Sequence, residues 1–125
     1  MSDLSGAWSG SYVYAGQLEP VAFEVDIRDS GGMLSGVIAE PSLRPSNGTA
    51  HSTMSGSYGD GRVAFVKIYD AVEEFPDPVH YQGTLDADEC EISGIWSIGA
   101  LSGGFIMTRP KARAAEVEQV ESVTV

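Results

Sequence analysis

Ile92-Ser93-Gly94-Ile95-Trp96 carries the pattern that decides the fold: an apolar residue, a glycine and a second apolar residue, each two positions apart. A spacing of two places all three residues on one face of a β-strand. The same pattern recurs around Gly10, Gly36, Gly56 and Gly83. Glycine weakens an ordinary strand, so its repeated use on the apolar face needs a physical cause. A sheet that coils until it closes on itself provides one, because glycine relieves the strain of coiling.

Short strands run through most of the chain, and no segment before residue 110 has helical periodicity. In the clearest strand, Val21, Phe23, Val25 and Ile27 alternate with more polar or smaller residues, which is typical of a half-buried strand. The predicted strands cover residues 6–14, 21–29, 33–40, 50–58, 62–69, 79–86, 91–98 and 103–109. Many short strands with regular turn signals are typical of a β-sandwich or a β-barrel.

The lengths of the connections distinguish these two folds. The second, fourth and sixth connections carry tight hairpin signals, whereas the first, third and fifth are longer. In an up-and-down meander, alternate connections lie at opposite ends, so one end carries the long loops. We therefore predict an all-β fold, an eight-stranded antiparallel up-and-down β-barrel formed by residues 1–109. Residues 110–125 form an acidic C-terminal tail that we expect to be helical or disordered.

Composition narrows the functions that this barrel can have. The chain has 125 residues and a formal net charge of −11, so we expect it to bind neither nucleic acid nor an anionic membrane surface. No apolar run approaches the roughly 20 residues that span a bilayer. Cys90 is the only cysteine, which excludes an internal disulfide and a thiolate metal cluster. The N-terminus lacks the features of a signal peptide, and we expect a cytoplasmic location.

Particular motifs resemble the calycin superfamily, which includes lipocalins, fatty-acid-binding proteins and avidins. Gly6-Ala7-Trp8 matches the Gly-x-Trp opening of that group, in which a basic residue of the last strand packs near the tryptophan. Arg109 has the position and phase for that role. The avidin branch is the most similar, through Met54-Ser55-Gly56-Ser57-Tyr58 and Ile92-Ser93-Gly94-Ile95-Trp96. The resemblance implies a small ligand-binding barrel.

The residues that hold biotin in avidins are mostly replaced here. Gly10 stands at the polar position of strand one, and Phe65 and Tyr81 stand at two tryptophan positions. The aspartate near the start of strand eight has no counterpart in Gly103-Gly104, and only Trp96 keeps the tryptophan character. The chain is therefore avidin-like in fold without the biotin-binding residue set.

Strand phase and direction place a group of polar and aromatic side chains inside the barrel toward its long-loop end. A barrel of eight strands either fills with side chains or holds one small ligand. An apolar floor beneath an aromatic and polar mouth suits such a ligand. The predicted ligand-binding residues are Tyr12, Tyr14, Glu40, Ser52, Phe65, Lys67, Tyr69, Tyr81 and Trp96.

Lys67 is the most informative of these residues, because an ammonium inside a barrel must be paired or have a lowered pKa. It has three interpretations: it pairs with Glu40 or a loop carboxylate at the rim, it binds an anionic or carbonyl-bearing ligand, or it acts as a catalytic base or nucleophile. We assign no catalytic residues, no metal ligands and no cofactor. His51 and His80 face outward on different strands, without metal-ligand spacing.

The outer face of strand five is also apolar, with Ala64, Val66 and Ile68 alternating with the inward residues. An apolar outer wall predicts a subunit interface, and avidin-like barrels commonly associate in this way. We expect a homodimer or homotetramer.

Three hypotheses for the function follow. The first is a barrel that binds a small apolar or aromatic ligand at the long-loop end. The second is an isomerase, cyclase or lyase that uses Lys67 with tyrosines as acid and base. The third is a structural or oligomerisation module whose interior is filled. The volume of the cavity distinguishes the third from the others.

Overall fold

The computed structural model describes residues 3–16, 19–41, 48–70 and 77–111. Eight strands account for most of them, so the all-β prediction is confirmed. The strands are β1 (Gly6–Tyr12), β2 (Val21–Ser30), β3 (Met33–Pro41), β4 (Thr49–Gly59), β5 (Arg62–Tyr69), β6 (Val79–Leu85), β7 (Glu91–Ile98) and β8 (Leu101–Thr108). Residues 71–76, between β5 and β6, and the predicted tail from residue 112 onward lie outside the described residues.

The eight strands form one closed barrel in which each strand pairs antiparallel with the next along the chain. Residues 9–12 of β1 pair with residues 105–108 of β8 and close it. The up-and-down connectivity predicted from the loop lengths is therefore confirmed. Pairing between the first and last strands also removes the two free edges that an open sheet would expose.

The glycines at the centres of the strands are required by the close approach of neighbouring backbone. A Cβ atom on Gly94 would lie closer than 3.0 Å to the carbonyl oxygen of Gln82 and to the Cα of Gly83. A Cβ on Gly56 would meet the carbonyl oxygen of Ala64 in the same way. The sheet bends where these side chains are missing, which is the role predicted from the repeated pattern.

Two of the tight turns lie at the end opposite the long loops. They adopt the backbone conformation that suits a two-residue hairpin. Gly31 and Gly32 join β2 to β3 with φ values of 62° and 92°, and Asp60 and Gly61 join β4 to β5 with φ values of 53° and 74°. Paired positive φ values give the turn the same twist as its strands.

The strand limits agree with the predicted ones to within two residues. The largest differences are that β1 ends at Tyr12 rather than Tyr14, and that β8 begins at Leu101 rather than Gly103. The chain keeps contact with β8 beyond Tyr12, because the Val13 N–H donates to the carbonyl oxygen of Gly104 at 3.0 Å. Within the described residues, no helix is long and apolar enough to cross a membrane.

The floor of the barrel is closed by the chain segment before β1. Leu4 is fully buried, and its carbonyl oxygen accepts a hydrogen bond of 2.8 Å from Nε1 of Trp8. The Arg109 guanidinium lies 4.6 Å from the centre of the Trp8 ring. This is the contact that the calycin resemblance implied. Arg109 also donates to the carbonyl oxygens of Asp3 and Glu89, each at 2.9 Å, and so ties the two ends of the barrel domain together.

Candidate functional site

A buried ion pair lies inside the barrel toward the long-loop end. Nζ of Lys67 on β5 is 2.9 Å from Oε1 of Glu40 on β3, and the two side chains are 2% and 3% exposed. Strand alternation explains the placement, since Lys67 shares a face with Val63 and Phe65, which are also buried. The interpretation that Lys67 pairs with Glu40 is confirmed. The pair is enclosed, however, and not at the solvent-exposed rim.

Two tyrosine hydroxyls complete the surroundings of the carboxylate. The hydroxyl of Tyr12 donates to Oε2 of Glu40 at 2.5 Å, and the hydroxyl of Tyr69 donates to Oε1 at 2.9 Å. From the described part of the chain, Glu40 therefore accepts three hydrogen bonds, one of them from an ammonium. Bonds to an ionised acceptor are shorter and stronger than neutral ones, and the contact from Tyr12 is the shortest of the three.

Three aromatic rings surround the ammonium of Lys67. Nζ lies 4.6 Å from the ring centre of Tyr69, 4.9 Å from that of Tyr12 and 5.5 Å from that of Tyr81. All three distances fall within the range of cation–π attraction. We call the set Lys67, Glu40, Tyr12, Tyr69 and Tyr81 the tyrosine cluster. Tyr69 is its one partly exposed member, and the other four are buried.

Burial disfavours the charged form of the lysine and of the tyrosines in the cluster and shifts their pKa values accordingly. Removal from water lowers the pKa of the Lys67 ammonium, and the nearby Glu40 carboxylate offsets part of that shift. Burial is also the largest cause that raises the pKa of Tyr12, Tyr69 and Tyr81. The negative charge of Glu40 raises all three further. The tyrosines therefore remain neutral hydrogen-bond donors at any physiological pH.

Ser52 adds an unsatisfied polar group next to the cluster. It lies on β4, the strand between β3 and β5, and faces inward opposite Ile38 and Tyr69. Its side chain is 1% exposed, and its Oγ has no hydrogen-bond partner among the described residues. A buried hydroxyl without a partner costs about 1–3 kcal/mol. Such a group is a position where a guest molecule gains a hydrogen bond.

A second layer of aromatic residues supports the cluster. Nε1 of Trp96 donates to the carbonyl oxygen of Val13 at 2.9 Å, which fixes the indole beside the chain that leaves β1. Trp96 packs edge-on against Tyr14 and Tyr12, with ring centres 5.1 and 5.9 Å away. Phe65 stacks on Tyr81 at 4.6 Å. All nine predicted site residues therefore gather at the long-loop end, seven of them buried and Tyr14 and Tyr69 partly exposed.

The wall of the barrel is split between β2 and β3 at this same end, a feature that the sequence prediction missed. The paired residues of the two strands run from Ser30 and Met33 to Glu24 and Ala39 and stop there. A shallow cleft of about 260 Å³ lies beyond the last pair, and Glu40 is one of the residues that line it. Pro41 could have signalled the split, because a proline has no N–H to continue a ladder.

Taken together, the site offers one positive and one negative charge in balance, hydroxyl groups of fixed direction, and aromatic surfaces. Among the described residues, no group of three or more histidine, cysteine, aspartate or glutamate side chains could hold a metal ion. The arrangement is suited to holding a small uncharged molecule through hydrogen bonds and ring contacts. No protein-family model matches the chain, and no curated protein matches it in sequence.

Proposed function

We propose that this barrel binds a small apolar or aromatic molecule at its long-loop end, with the tyrosine cluster as the polar centre of the site. The observation that supports the proposal is the buried ion pair between Lys67 and Glu40 in an otherwise largely apolar interior. We expect this binding to take place in the cytoplasm, where a lone cysteine such as Cys90 is common.

Stability alone is a weak reason for such a pair. Replacing a buried ion pair with well-packed apolar residues is often neutral or stabilising by about 1–4 kcal/mol. A barrel that served only as a scaffold would therefore gain from apolar residues in place of Lys67 and Glu40. Their presence next to the unpartnered hydroxyl of Ser52 favours a role in recognition.

The chemistry of the cluster restricts the ligand. Lys67 and Glu40 neutralise each other, so an anion buried beside them would have no partner and would cost several kcal/mol. An uncharged ring gains more, because the tyrosines and Trp96 offer faces for stacking and hydroxyls for hydrogen bonds. Tyr14 and Tyr69 are partly exposed, so their rings are the ones that a ligand approaching along the barrel axis meets first.

Native mass spectrometry of protein purified from its own host tests the proposal directly. We expect a co-purified small molecule that is retained by the wild type and by Lys111→Met, since Lys111 is an exposed lysine at the opposite end. Lys67→Met should lose it. Wild-type protein that carries no small molecule, and that gains none from an extract of host metabolites, would contradict ligand binding.

A filled interior is the second candidate, and one observation favours it. Tyr12, Tyr81 and Glu40 enclose the Lys67 ammonium so completely that the lysine is 2% exposed. In this case the barrel is a structural or oligomerisation module, and its interior excludes ligands. The same mass measurement separates the two candidates, because a filled barrel gives only the mass of the protein.

The outer wall supports the proposal that the barrel self-associates as a homodimer or homotetramer. Within the described strands β3–β8, the only outward charged side chains are Arg62 and Glu91, each at the first position of its strand. Ile95 and Ile68 are 62% and 45% exposed on this wall. Loss of charge around exposed apolar residues marks the core of an interface. Because the chain carries a net charge of −11, this wall is the surface that a second copy can approach with little repulsion.

A further inference from the structure

The split between β2 and β3 has a simple cause in the sequence. Continuing the observed register beyond Glu24 and Ala39 would place Ala22 opposite Pro41. Proline has no backbone N–H, so it cannot donate the next hydrogen bond of an antiparallel ladder. Meanwhile Val21 remains paired with Tyr12 of β1, and Pro41 remains paired with Thr49 of β4. The two strands are thus held by their outer neighbours, and no described residue pair joins them beyond Glu24 and Ala39.

The cleft that results borders the tyrosine cluster, because Glu40 belongs to both. It has a volume of about 260 Å³, slightly below the usual range for ligand pockets, which begins at about 300 Å³. A molecule with a single ring is the appropriate size. The residues that line it include Ala22, Phe23, Glu24, Ala39, Glu40 and Thr49.

Glu40 belongs to both the cleft and the cluster, and the described residues fill only part of its capacity to accept hydrogen bonds. The two oxygens of a carboxylate offer about four acceptor positions. Lys67, Tyr12 and Tyr69 occupy three of them. No described residue occupies the fourth position, so a molecule in the cleft that binds Glu40 there brings an N–H or O–H donor.

The charges around the cleft exclude anions. The described residues that line it include two carboxylates, Glu24 and Glu40, and no cation. The chain as a whole has a net charge of −11. The two carboxylates would repel an anionic group at short range, and the net charge would repel it at long range. The cleft therefore favours a neutral or positively charged molecule.

We propose that the cleft between β2 and β3 is the opening through which a small, non-anionic molecule with a single ring reaches the site and donates a hydrogen bond to Glu40. This inference rests on the proposed ligand-binding function, and it adds the direction of access and the chemical class. The apolar sides of the cleft, Ala22, Phe23 and Ala39, contact the ring, and the carboxylate orients its donor group.

The chemical class of the ligand can be tested by titrating four single-ring probes into ¹⁵N-labelled protein. Phenol carries a neutral donor, benzylamine a positively charged donor, anisole no donor and benzoate a negative charge. We expect phenol, benzylamine or both to shift the backbone amide signals of Ala22, Phe23, Glu40 and Thr49. Anisole and benzoate should produce no saturable shift of these signals.

Ala22→Trp tests whether the probes bind in the cleft, because the indole would fill it. Ala22 is exposed and far from Lys67 in the register. We expect the affinity for the donor probes to fall by about tenfold or more, equivalent to about 1.4 kcal/mol. Ala7→Trp is the matched control, since Ala7 is an exposed alanine on the outer face of neighbouring β1 and does not line the cleft. It should leave the affinity unchanged.

The alternative outcomes are distinguishable. Shifts confined to Tyr14 and Trp96, with no effect of Ala22→Trp, would overturn the lateral opening and leave binding at the long-loop end intact. Equal binding of phenol and anisole in the cleft would overturn the requirement for a donor. Saturable binding of none of the four probes would overturn the cleft as a site for this class, and the native mass measurement would then decide the proposed function independently.

Discussion

Lys67 and Glu40 form an ion pair although their strands do not touch. β4 separates β3 from β5, and it places Ala50 opposite Glu40 and Met54 opposite Lys67. Ser52 lies midway between these two positions on the same inward face. The pair therefore spans a strand that contributes a small side chain at the crossing, and the contact between Nζ and Oε1 is 2.9 Å.

Lys67→Met should destabilise the protein strongly, because it leaves the Glu40 carboxylate buried without its cation. Removing one partner of a buried ion pair costs about 3–5 kcal/mol. The free energy of unfolding, measured by urea denaturation, should fall by that amount. Lys111→Met is the control, and it should change the stability by less than about 0.5 kcal/mol because Lys111 is exposed.

The double variant Lys67→Met, Glu40→Gln shows whether the loss comes from the stranded charge. It should recover at least half of the stability, because the amide is neutral and its oxygen can still accept from the Tyr12 hydroxyl. A double variant as unstable as Lys67→Met would show that the carboxylate is not responsible.

Tyr12→Phe should also be destabilising, although the aromatic ring remains. The hydroxyl donates to the ionised Glu40 at 2.5 Å, and hydrogen bonds to charged groups contribute about 1.5–3 kcal/mol. The measurement is the midpoint of urea unfolding at constant slope. Tyr14→Phe is the matched control, because Tyr14 contributes its ring to Tyr12 and Trp96. Equal effects of the two substitutions would contradict the role of the Tyr12 hydroxyl.

The free energy of unfolding should fall steeply at alkaline pH. The pKa values of Tyr12, Tyr69 and Tyr81 are raised above the ordinary 10.0, so above pH 10.0 the unfolded chain loses protons that the folded chain keeps. The contribution of the tyrosines to the free energy of unfolding is therefore complete below pH 10.0. Above that pH it falls by about 1.4 kcal/mol per pH unit for each tyrosine. Urea unfolding between neutral pH and pH 11 measures the slope, with tyrosinate absorbance as the second readout.

Lys67 contributes to the pH dependence of the unfolding free energy with the opposite sign. Its pKa in the folded protein is lowered from the ordinary 10.5, so the unfolded chain binds the extra proton between the two values. Stability should rise with pH in that window, and Lys67→Met should remove the rise. Tyr12→Phe should reduce the loss above pH 10.0 by one proton. A stability that does not change up to pH 11 would contradict the buried state of the cluster.

Gly94→Ala should destabilise the barrel by about 1–3 kcal/mol or more, because the added Cβ meets the backbone of Gln82 and Gly83, which has little freedom to move. Gly59→Ala is the matched control at the end of β4. A Cβ there would have no atom within 4 Å, so we expect a change below about 0.5 kcal/mol. Thermal unfolding followed by circular dichroism compares the two, and equal effects would argue against close strand approach at Gly94.

Ile95→Lys should dissociate the proposed oligomer, because it places a charge in the centre of the uncharged wall. Light scattering coupled to size-exclusion chromatography should give the mass of a dimer or tetramer for the wild type and of a monomer for the variant. Ala7→Lys adds the same charge on β1 and should leave the assembly intact. A monomeric wild type would refute self-association.

The fold could be predicted because local signals determine it. The Gly31-Gly32 and Asp60-Gly61 turns are short enough to force hairpins, and the alternation of β2 determines which of its side chains face inward. The inward phase of Lys67 and Glu40 follows from the same alternation. The gathering of the nine site residues was therefore accessible from sequence.

The enclosure of the ion pair and the split wall were not accessible in the same way. Whether Lys67 reaches the rim depends on how closely the Tyr12 and Tyr81 rings approach it, and that distance arises from the curvature of the whole barrel. The cleft depends on Pro41, whose effect appears only once the register between β2 and β3 is known. Both features arise from tertiary geometry, which a local pattern does not encode.

Closure of the barrel joins residues 9–12 to residues 105–108, the two extremes of the domain. During synthesis on the ribosome, β1 therefore waits for its second neighbour until the last strand has emerged. In that interval the exposed edges of β1 and β7 are available for pairing with other chains, which is a route to aggregation. We expect the nascent chain to depend on holding factors at the exit tunnel more than its small size suggests.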